Sequence, residues 1–347
     1  MNIELFTAKD IRNSLIHNIS VRHVDKIISP QLAYAIINNP IVEDNMVIMA
    51  AIYAAEGPIG CISIIPDLLK GPDMHVFWAS TLYIQPKYQG RGLGYILVSA
   101  LDELYHNKLF DIGGVEATVK IFSSLGFNDT YVKLYECRRF KSFKRNSISG
   151  WLAFIIDLPK RLCRIAKSQK MIRNCSTSEI KLEYVRFVDD SLYEFICTHS
   201  ANDAFLRSKE MFNWILQYPC TNESILIDKV SGDFANKQIS RTYAVKVVLD
   251  STIVGFYIFT EQNDSLYIKY IYYDDKWREY AFETIFEHLV RCNKNKLMSF
   301  EKPMITYFQQ RKVFACFDSY DISFSYPAGF DYSEVKRIQG GDGDLFI

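Results

Sequence analysis

The stretch YIQPKYQGRGLGYILV, Tyr83 to Val98, decides how the chain is read. A run rich in aromatic and β-branched residues, His75 to Pro86, has strand character and ends at the proline. Gln89, Gly90, Arg91, Gly92, Leu93 and Gly94 then make a turn. An amphipathic helix follows from Gly92 to His106, with Leu93, Ile96, Leu97, Ala100, Leu101 and Leu104 at helical spacing. Glycines let backbone N–H groups approach a ligand without a Cβ in the way. A helix start leaves N–H donors unsatisfied and carries the positive end of the helix dipole. Strand, glycine turn and helix start together form a cradle for a pyrophosphate. The cradle is not a Walker loop, because no Gly-Lys-Ser/Thr follows. The spacing also excludes a dinucleotide fingerprint.

Outward from this turn, two amphipathic stretches, Lys9 to His17 and Pro30 to Ile41, follow an initial strand from Asn2 to Ala8. Met46 to Pro66 has the length of a membrane span, but Glu56-Gly57-Pro58 punctuates its middle, so it reads as a buried hairpin. A short strand near Phe110 to Ile112, a helix from Ala117 to Ser124 and a strand from Tyr131 to Cys137 close the first unit. The second half repeats the order: strand KLEYVRFV, helical material including SKEMFNWILQYP, three strands, then a helix from Lys276 to Cys292. This is an internal repeat in element order rather than in residue identity.

Composition sets outer limits. The chain has 347 residues, so length suggests about two domains. Forty Lys and Arg balance forty Asp and Glu, which argues against nucleic-acid binding by the surface as a whole. Eight scattered cysteines and six histidines show no metal-ligand spacing, and no metal is expected. With no secretory pattern at the start, the expected compartment is the cytoplasm with free thiols.

The pattern [QR]xxGx[GA] after an aromatic strand resembles that of the GNAT acyl-CoA N-acyltransferase superfamily, over roughly residues 1–140. GGVEATVKIFSSLGF, Gly113 to Phe127, is similar to the family's later helix motif. Val115 and Phe122 depart from it, standing where the family often has Asn and Tyr. That Tyr commonly protonates the departing thiolate, and phenylalanine has no proton to give.

The resemblance implies an α/β fold of two tandem GNAT-like domains, each a mixed twisted sheet flanked by helices. The expected boundaries are 1–140 for an acetyl-CoA-binding domain, 141–176 for a basic and apolar helical linker, and 177–347 for a degenerate copy. It implies acetyl-CoA as co-substrate and a small-molecule amine as acceptor. Leu82, Tyr83 and Ile84 would pair with the pantetheine arm as an added strand. N–H groups from Gln89, Gly90, Arg91, Gly92, Leu93 and Gly94, with Tyr95 beside them, would hold the pyrophosphate. Phe122 would lie at the thioester end. The amide near Ile84 is the expected oxyanion donor. His75 and Glu116 are base candidates on position alone, and His23 lies where such enzymes admit the acceptor.

In the second half the equivalent turn reads DDKWREYAFETIF, without glycine. Asp274 and Asp275 would repel phosphates there, so this half is read as lacking a CoA site. WILQYP, Trp214 to Pro219, and GDGDLF, Gly341 to Phe346, look similar to a tandem group encoded with bacterial surface-polysaccharide genes, which implies an amino-sugar acceptor. Trp214 also has a plain reading as a core aromatic. Alternatives from other classes are a Fem-like aminoacyl transferase and a non-catalytic CoA-binding or scaffold protein.

From Arg138 to Arg173 there are eleven basic residues and one acid, Asp157. Within it, Ile148 to Leu158 is apolar. The favoured expectation is an interdomain helix packing Trp151, Leu152, Phe154 and Ile155 against both halves. The alternative is a peripheral membrane contact through residues 148–167, with Lys160, Arg161, Arg164 and Lys167 facing anionic headgroups.

Overall fold

A computed structural model describes residues 1–16, 27–70, 74–141, 148–177, 180–218 and 240–343. The first half runs β1 (Asn2–Thr7), α1 (Ala8–Ile16), α2 (Pro30–Ile37), β2 (Val47–Ala54), β3 (Gly57–Leu69), β4 (Met74–Ile84), α3 (Leu93–Tyr105), β5 (Leu109–Ile112), α4 (Glu116–Ser124) and β6 (Asn128–Arg138). A long helix, α5 (Ile148–Thr177), follows. The second half runs β7 (Ile180–Val185), α6 (Asp190–His199), α7 (Lys209–Gln217), β8 (Ser240–Leu249), β9 (Thr252–Gln262), β10 (Ser265–Tyr273), α8 (Arg278–Arg291), β11 (Lys296–Ser299), α9 (Lys302–Arg311) and β12 (Cys316–Tyr326). Element by element, the order is the same on either side of α5.

The strands join one mixed 12-stranded sheet in the order β1-β2-β3-β4-β5-β12-β6-β11-β10-β9-β8-β7. The order reads alike from both ends when each strand is exchanged for its counterpart in the other half. The last strand of each half is inserted into the other half's sheet. β12 pairs with β5 through Phe324 opposite Ile112, and β6 pairs with β11 through Cys137 opposite Leu297. β6 and β12 run antiparallel to each other along their full length. At the centre of that ladder Lys133 stands opposite Asp321 and the two form an ion pair at 2.7 Å. A sequence cut between the halves therefore leaves each half's sheet without the strand beside β5 or β11.

Alternation along the strands places three apolar clusters. One, with Phe6, Ile62, Leu97 and Phe122, lies between the first half's strands and α1 to α4. A second, with Val245, Ile268, Phe282 and Phe308, is its counterpart under α8 and α9. The third joins the halves: Trp78 and Phe110 from the first meet Phe205, Trp214, Phe256 and Tyr270 from the second. Trp214 is buried, and its indole Nε1–H donates to the carbonyl of Ala35 on α2 at 2.8 Å. The core reading of this tryptophan matches its position, and α7 is tied to the first half's helices by one buried hydrogen bond.

Below this third cluster lies a buried ionic network. Arg207, between α6 and α7, donates through Nε to Tyr270 Oη at 2.9 Å and through Nη2 to Asp342 Oδ1 at 2.9 Å. Its Nη1 is hydrogen-bonded to Asp67 on β3. Asp67 also accepts from Trp78 Nε1 at 2.9 Å. Gly343, one residue beyond Asp342, has φ 68° and packs on Trp78 and Ile112, so the tail closes over the junction. The remainder of GDGDLF, 344–346, lies outside the described residues, as does Pro219.

Candidate active site

β4 and β5 are parallel and pair only through Phe77–Leu109 and Trp78–Phe110. β4 then continues to Ile84 with no β5 residue opposite, so the two strands part and leave a wedge between them. A bulge marks the parting. The β3–β4 register shifts between Cys61 and Ser63, and Thr81 takes φ 53°, a left-handed conformation that is costly for a β-branched residue. Ser63 Oγ donates to Ser80 O at 3.2 Å and contacts the Thr81 hydroxyl, which fixes the bulge from β3. The effect is to re-aim the backbone of Leu82, Tyr83 and Ile84, all half-buried, at the mouth of the wedge.

The turn beyond β4 is a single 3₁₀ turn, Pro86–Tyr88, followed by Gln89 to Gly92. Gly90 and Gly92 have φ of 74° and 75°, and a Cβ at either would meet nothing within 4 Å. These glycines answer a conformational demand, and the space above them is open. Gly92 is the N-cap of α3, and the first intrahelical bond runs from Ile96 N–H to Gly92 O at 3.1 Å. The N–H groups of Leu93, Gly94 and Tyr95 thus begin the helix without intrahelical acceptors. Gln89 folds back, its side-chain amide donating to Ile84 O at 2.9 Å. Arg91 donates to Lys87 O at 3.2 Å and lies over the Tyr88 ring. Lys87 pairs with Glu56 at 3.2 Å, and the Tyr88 hydroxyl bonds the same carboxylate. Those bonds hold Glu56 at a pKa of about 2, so the β2–β3 hairpin braces the turn with a charged contact. The wedge edge, Leu82 to Ile84, and the turn donors, Gln89 to Tyr95, are therefore contiguous. They suit an extended polyamide arm ending in a pyrophosphate, which is the chemistry of a CoA thioester.

The other candidates from the sequence are placed differently. His75 is exposed at the first turn of β4, on the far side of the paired segment from the wedge. Glu116 is exposed in the first turn of α4 and bonded to Lys120 at 2.6 Å. The structure brings neither to the wedge. Phe122 is fully buried in the first core, edge to face with Phe127 at 5.0 Å. His23 lies outside the described residues. Among the described residues, no group of three or more His, Cys, Asp or Glu is arranged to hold a metal ion.

One residue was not singled out from the sequence. Asp111 on β5 is buried, and its Oδ2 has no hydrogen-bond partner among the described residues. A Cβ on Gly114 would lie 2.4 Å from that oxygen, so the GG of the helix motif makes room for a carboxyl group. Burial first, and the nearby Asp129 second, push Asp111 up to about 7. The only signal in the sequence is an acid inside the apolar run LFDI.

This has a consequence for stability. A carboxyl raised from 3.8 to about 7 keeps its proton when folded, so the folded state binds more protons than the unfolded state between those values. Stability then falls as pH rises across that window. Between about pH 5 and 8 the loss is on the order of 2–3 kcal/mol from this residue. Asp111→Asn is expected to flatten that slope, read by urea unfolding at both pH values. An unchanged slope would show that Asp111 is not the protonated group.

The second half's equivalent turn has different chemistry. After β10, Asp274 accepts from Lys276 N–H at 2.8 Å, and a 3₁₀ turn, Asp275–Trp277, leads into α8. A carboxylate caps the 3₁₀ turn there, and α8 begins directly after it with Trp277 as N-cap, without the glycines that precede α3.

Residues 24–135 match the model of the acetyltransferase (GNAT) family. No curated protein matches the sequence. Among solved structures, a GCN5-related N-acetyltransferase from Anabaena variabilis is 12% identical, covering 93% of this chain and 72% of its own, with a TM-score of 0.50. A GCN5-related N-acetyltransferase from Kribbella flavida is 10% identical over 93% and 71%, also at 0.50. Saccharomyces cerevisiae N-myristoyltransferase with bound myristoyl-CoA is 13% identical over 97% and 88%, at 0.52. At such identities these likenesses concern the fold, and they extend through both halves. The family match covers the half that holds the wedge and the glycine turn, so residues 24–135 are a GNAT-family domain, a family whose chemistry is acyl transfer from acyl-CoA, and the fold likeness extends through the second half.

Proposed function

We propose that this chain is an N-acetyltransferase that moves the acetyl group of acetyl-CoA to a primary amine of a small molecule, with an amino sugar as the acceptor class. The observation that carries the reading is the contiguity of the β4 edge with the glycine turn in the first half and its loss in the second. In this reading Leu82, Tyr83 and Ile84 hold the pantetheine arm, and Gln89 to Tyr95 hold the pyrophosphate. A neutral amine attacks the thioester carbonyl. The oxyanion that develops is met by a strand amide near Ile84, held in place by the Thr81 bulge rather than by a mobile side chain. The thiolate leaves as the C–S bond breaks, and the amine's proton passes to a base. With Phe122 in the core, no α4 phenol serves the thiolate, and water in the wedge takes that part. The intact turn favours a CoA thioester over an aminoacyl-tRNA donor. In the same reading the domain boundaries fall at residues 140 and 176, and the protein works in the cytoplasm, where its free cysteines stay reduced.

Calorimetric titration with acetyl-CoA is expected to give one site per chain, because only the first half has the turn. Two sites would refute the reading of the second half as lacking one. Turnover with a panel of amino-sugar and non-sugar amines then tests the acceptor class. Binding without turnover on any amine would leave a CoA-binding scaffold in place of an enzyme of this specificity.

A further inference from the structure

The linker helix α5 is apolar on its outer face as well as its inner one, which a helix that only joins two halves does not require. Its inward face carries Phe154, Asp157, Arg161, Ile165, Ser168, Met171 and Ile172, all buried or half-buried, and packs against α8. Met171 belongs to the second half's core. The opposite face should be polar on a surface helix. Instead Ile155 is 58% exposed, Leu158 39% and Leu162 58%, with Ile156 beside them at 72%. Pro159 and Ala166, also exposed, continue the same stripe at helical spacing. Of the residues expected to pack between the halves, Phe154 is half-buried on the inward face, while the expectation for Ile155 is corrected, because it points out to solvent. Of the residues expected to pack, Trp151 and Leu152 lie outside those whose side chains are described.

Charge on this face has one sign. From Ile148 to Thr177 the helix holds six basic residues and one acid. The acid, Asp157, is turned inward and held by Arg164 at 2.8 Å. Lys160, Lys167 and Lys170 are exposed along the apolar stripe. Among the described residues, no carboxylate lies within ion-pair distance of them. Arg161 stacks over Phe140 at 4.4 Å on the inward face and Arg164 is tied to Asp157, so neither takes the headgroup-facing position expected of it, and the outward cations are lysines. No helix of the described residues is long and apolar enough to cross a membrane.

We infer that the outer face of α5 is a docking surface for an anionic phospholipid bilayer, with Ile155, Ile156, Leu158 and Leu162 seated at the level of the acyl chains and Lys160, Lys167 and Lys170 on the headgroups. The apolar stripe supplies insertion, and long lysine stems reach outward from it to the phosphates. A protein partner would accept the apolar stripe equally, but the one-signed cationic margin selects a surface of dense negative charge. This inference is independent of the acyl-transfer reading. It concerns where the chain works, not what it transfers.

The test is co-sedimentation of the full chain with vesicles of phosphatidylcholine containing about 30% phosphatidylglycerol, against phosphatidylcholine alone. The protein is expected to pellet with the anionic vesicles only, and less as salt rises from about 0.1 M to about 0.5 M. Ile155→Glu/Leu162→Glu is expected to abolish pelleting with an unchanged thermal melt, since both positions are exposed. Lys160→Gln/Lys167→Gln is expected to weaken it about 25-fold, roughly fivefold per lysine. Failure of the parent chain to pellet would overturn the inference, as would equal pelleting by the glutamate variant. Sedimentation velocity supplies the remaining arm. A parent dimer that Ile155→Glu/Leu162→Glu converts to monomer, with no vesicle binding, would assign the face to a contact between copies of the chain.

Discussion

Gly92→Glu is expected to abolish acetyl-CoA binding, with affinity lower by a factor of a hundred or more, on the order of 3 kcal/mol. Three effects act at one atom's distance. Gly92 has φ 75°, which a side chain with a Cβ adopts only at a cost. It is also the N-cap of α3, so a misplaced backbone here turns away the N–H groups of Leu93, Gly94 and Tyr95. The new carboxylate adds repulsion where a pyrophosphate would sit. Because a Cβ at this position meets nothing within 4 Å, the substitution does not clash with the protein, and the variant should stay folded. Loss of binding with a cooperative melt lowered by no more than the roughly 1–2 kcal/mol of a left-handed residue would therefore locate the donor site. Gly92→Ala separates the contributions: it keeps the conformational cost without the charge and should retain measurable affinity. Unchanged affinity in Gly92→Glu would remove the turn from the site altogether.

Arg207→Met is expected to produce the largest loss of stability, roughly 3–5 kcal/mol, because it strands two carboxylates in the interior. Asp67 and Asp342 both face this guanidinium, and neither is exposed. Asp342 is already pushed up to about 7 by burial, in spite of the arginine. Without the cation the Asp342 carboxyl rises further and takes up its proton more readily, so the loss should be smaller at pH 5 than at pH 8. That pH dependence distinguishes an electrostatic penalty from lost packing, which pH would not change. Denaturant unfolding at the two pH values is the measurement. A loss under about 1 kcal/mol, or one equal at both, would mean that the network relaxes around the missing charge. The network joins β3, the segment between α6 and α7, β10 and the chain's tail, so its loss should also loosen the tail from Trp78.

How legible the site was depends on range along the chain. The glycine turn and the helix after it are contiguous residues, and their conformations follow from local rules: φ at Gly90 and Gly92, apolar spacing in α3, a proline to stop β4. Thr81 gave no such signal. Its left-handed backbone is forced by the β3–β4 register and by Ser63, a residue 18 positions away. Asp111 was hidden for a related reason. An acid in LFDI has ordinary chemistry until β12, more than 200 residues later in the chain, closes one side and Gly114 the other. His75 and Glu116 were reasonable on sequence proximity, but strand direction carries His75 away from the wedge and a lysine one turn on occupies Glu116.

The sequence by itself determined the two-fold order of elements, the glycine turn present in one half and replaced by acids in the other, and the one-signed charge of the linker. Each of these is a property of neighbours in the chain, set by backbone sterics, side-chain periodicity and charge. Only the tertiary structure decided that β6 and β12 change places, that Arg207 sits between carboxylates from distant segments, and which side of α5 faces solvent. Pairing partners and helix rotation are fixed by which apolar surfaces meet. The period of a strand or helix shows that a face is apolar, but it does not name what that face will cover.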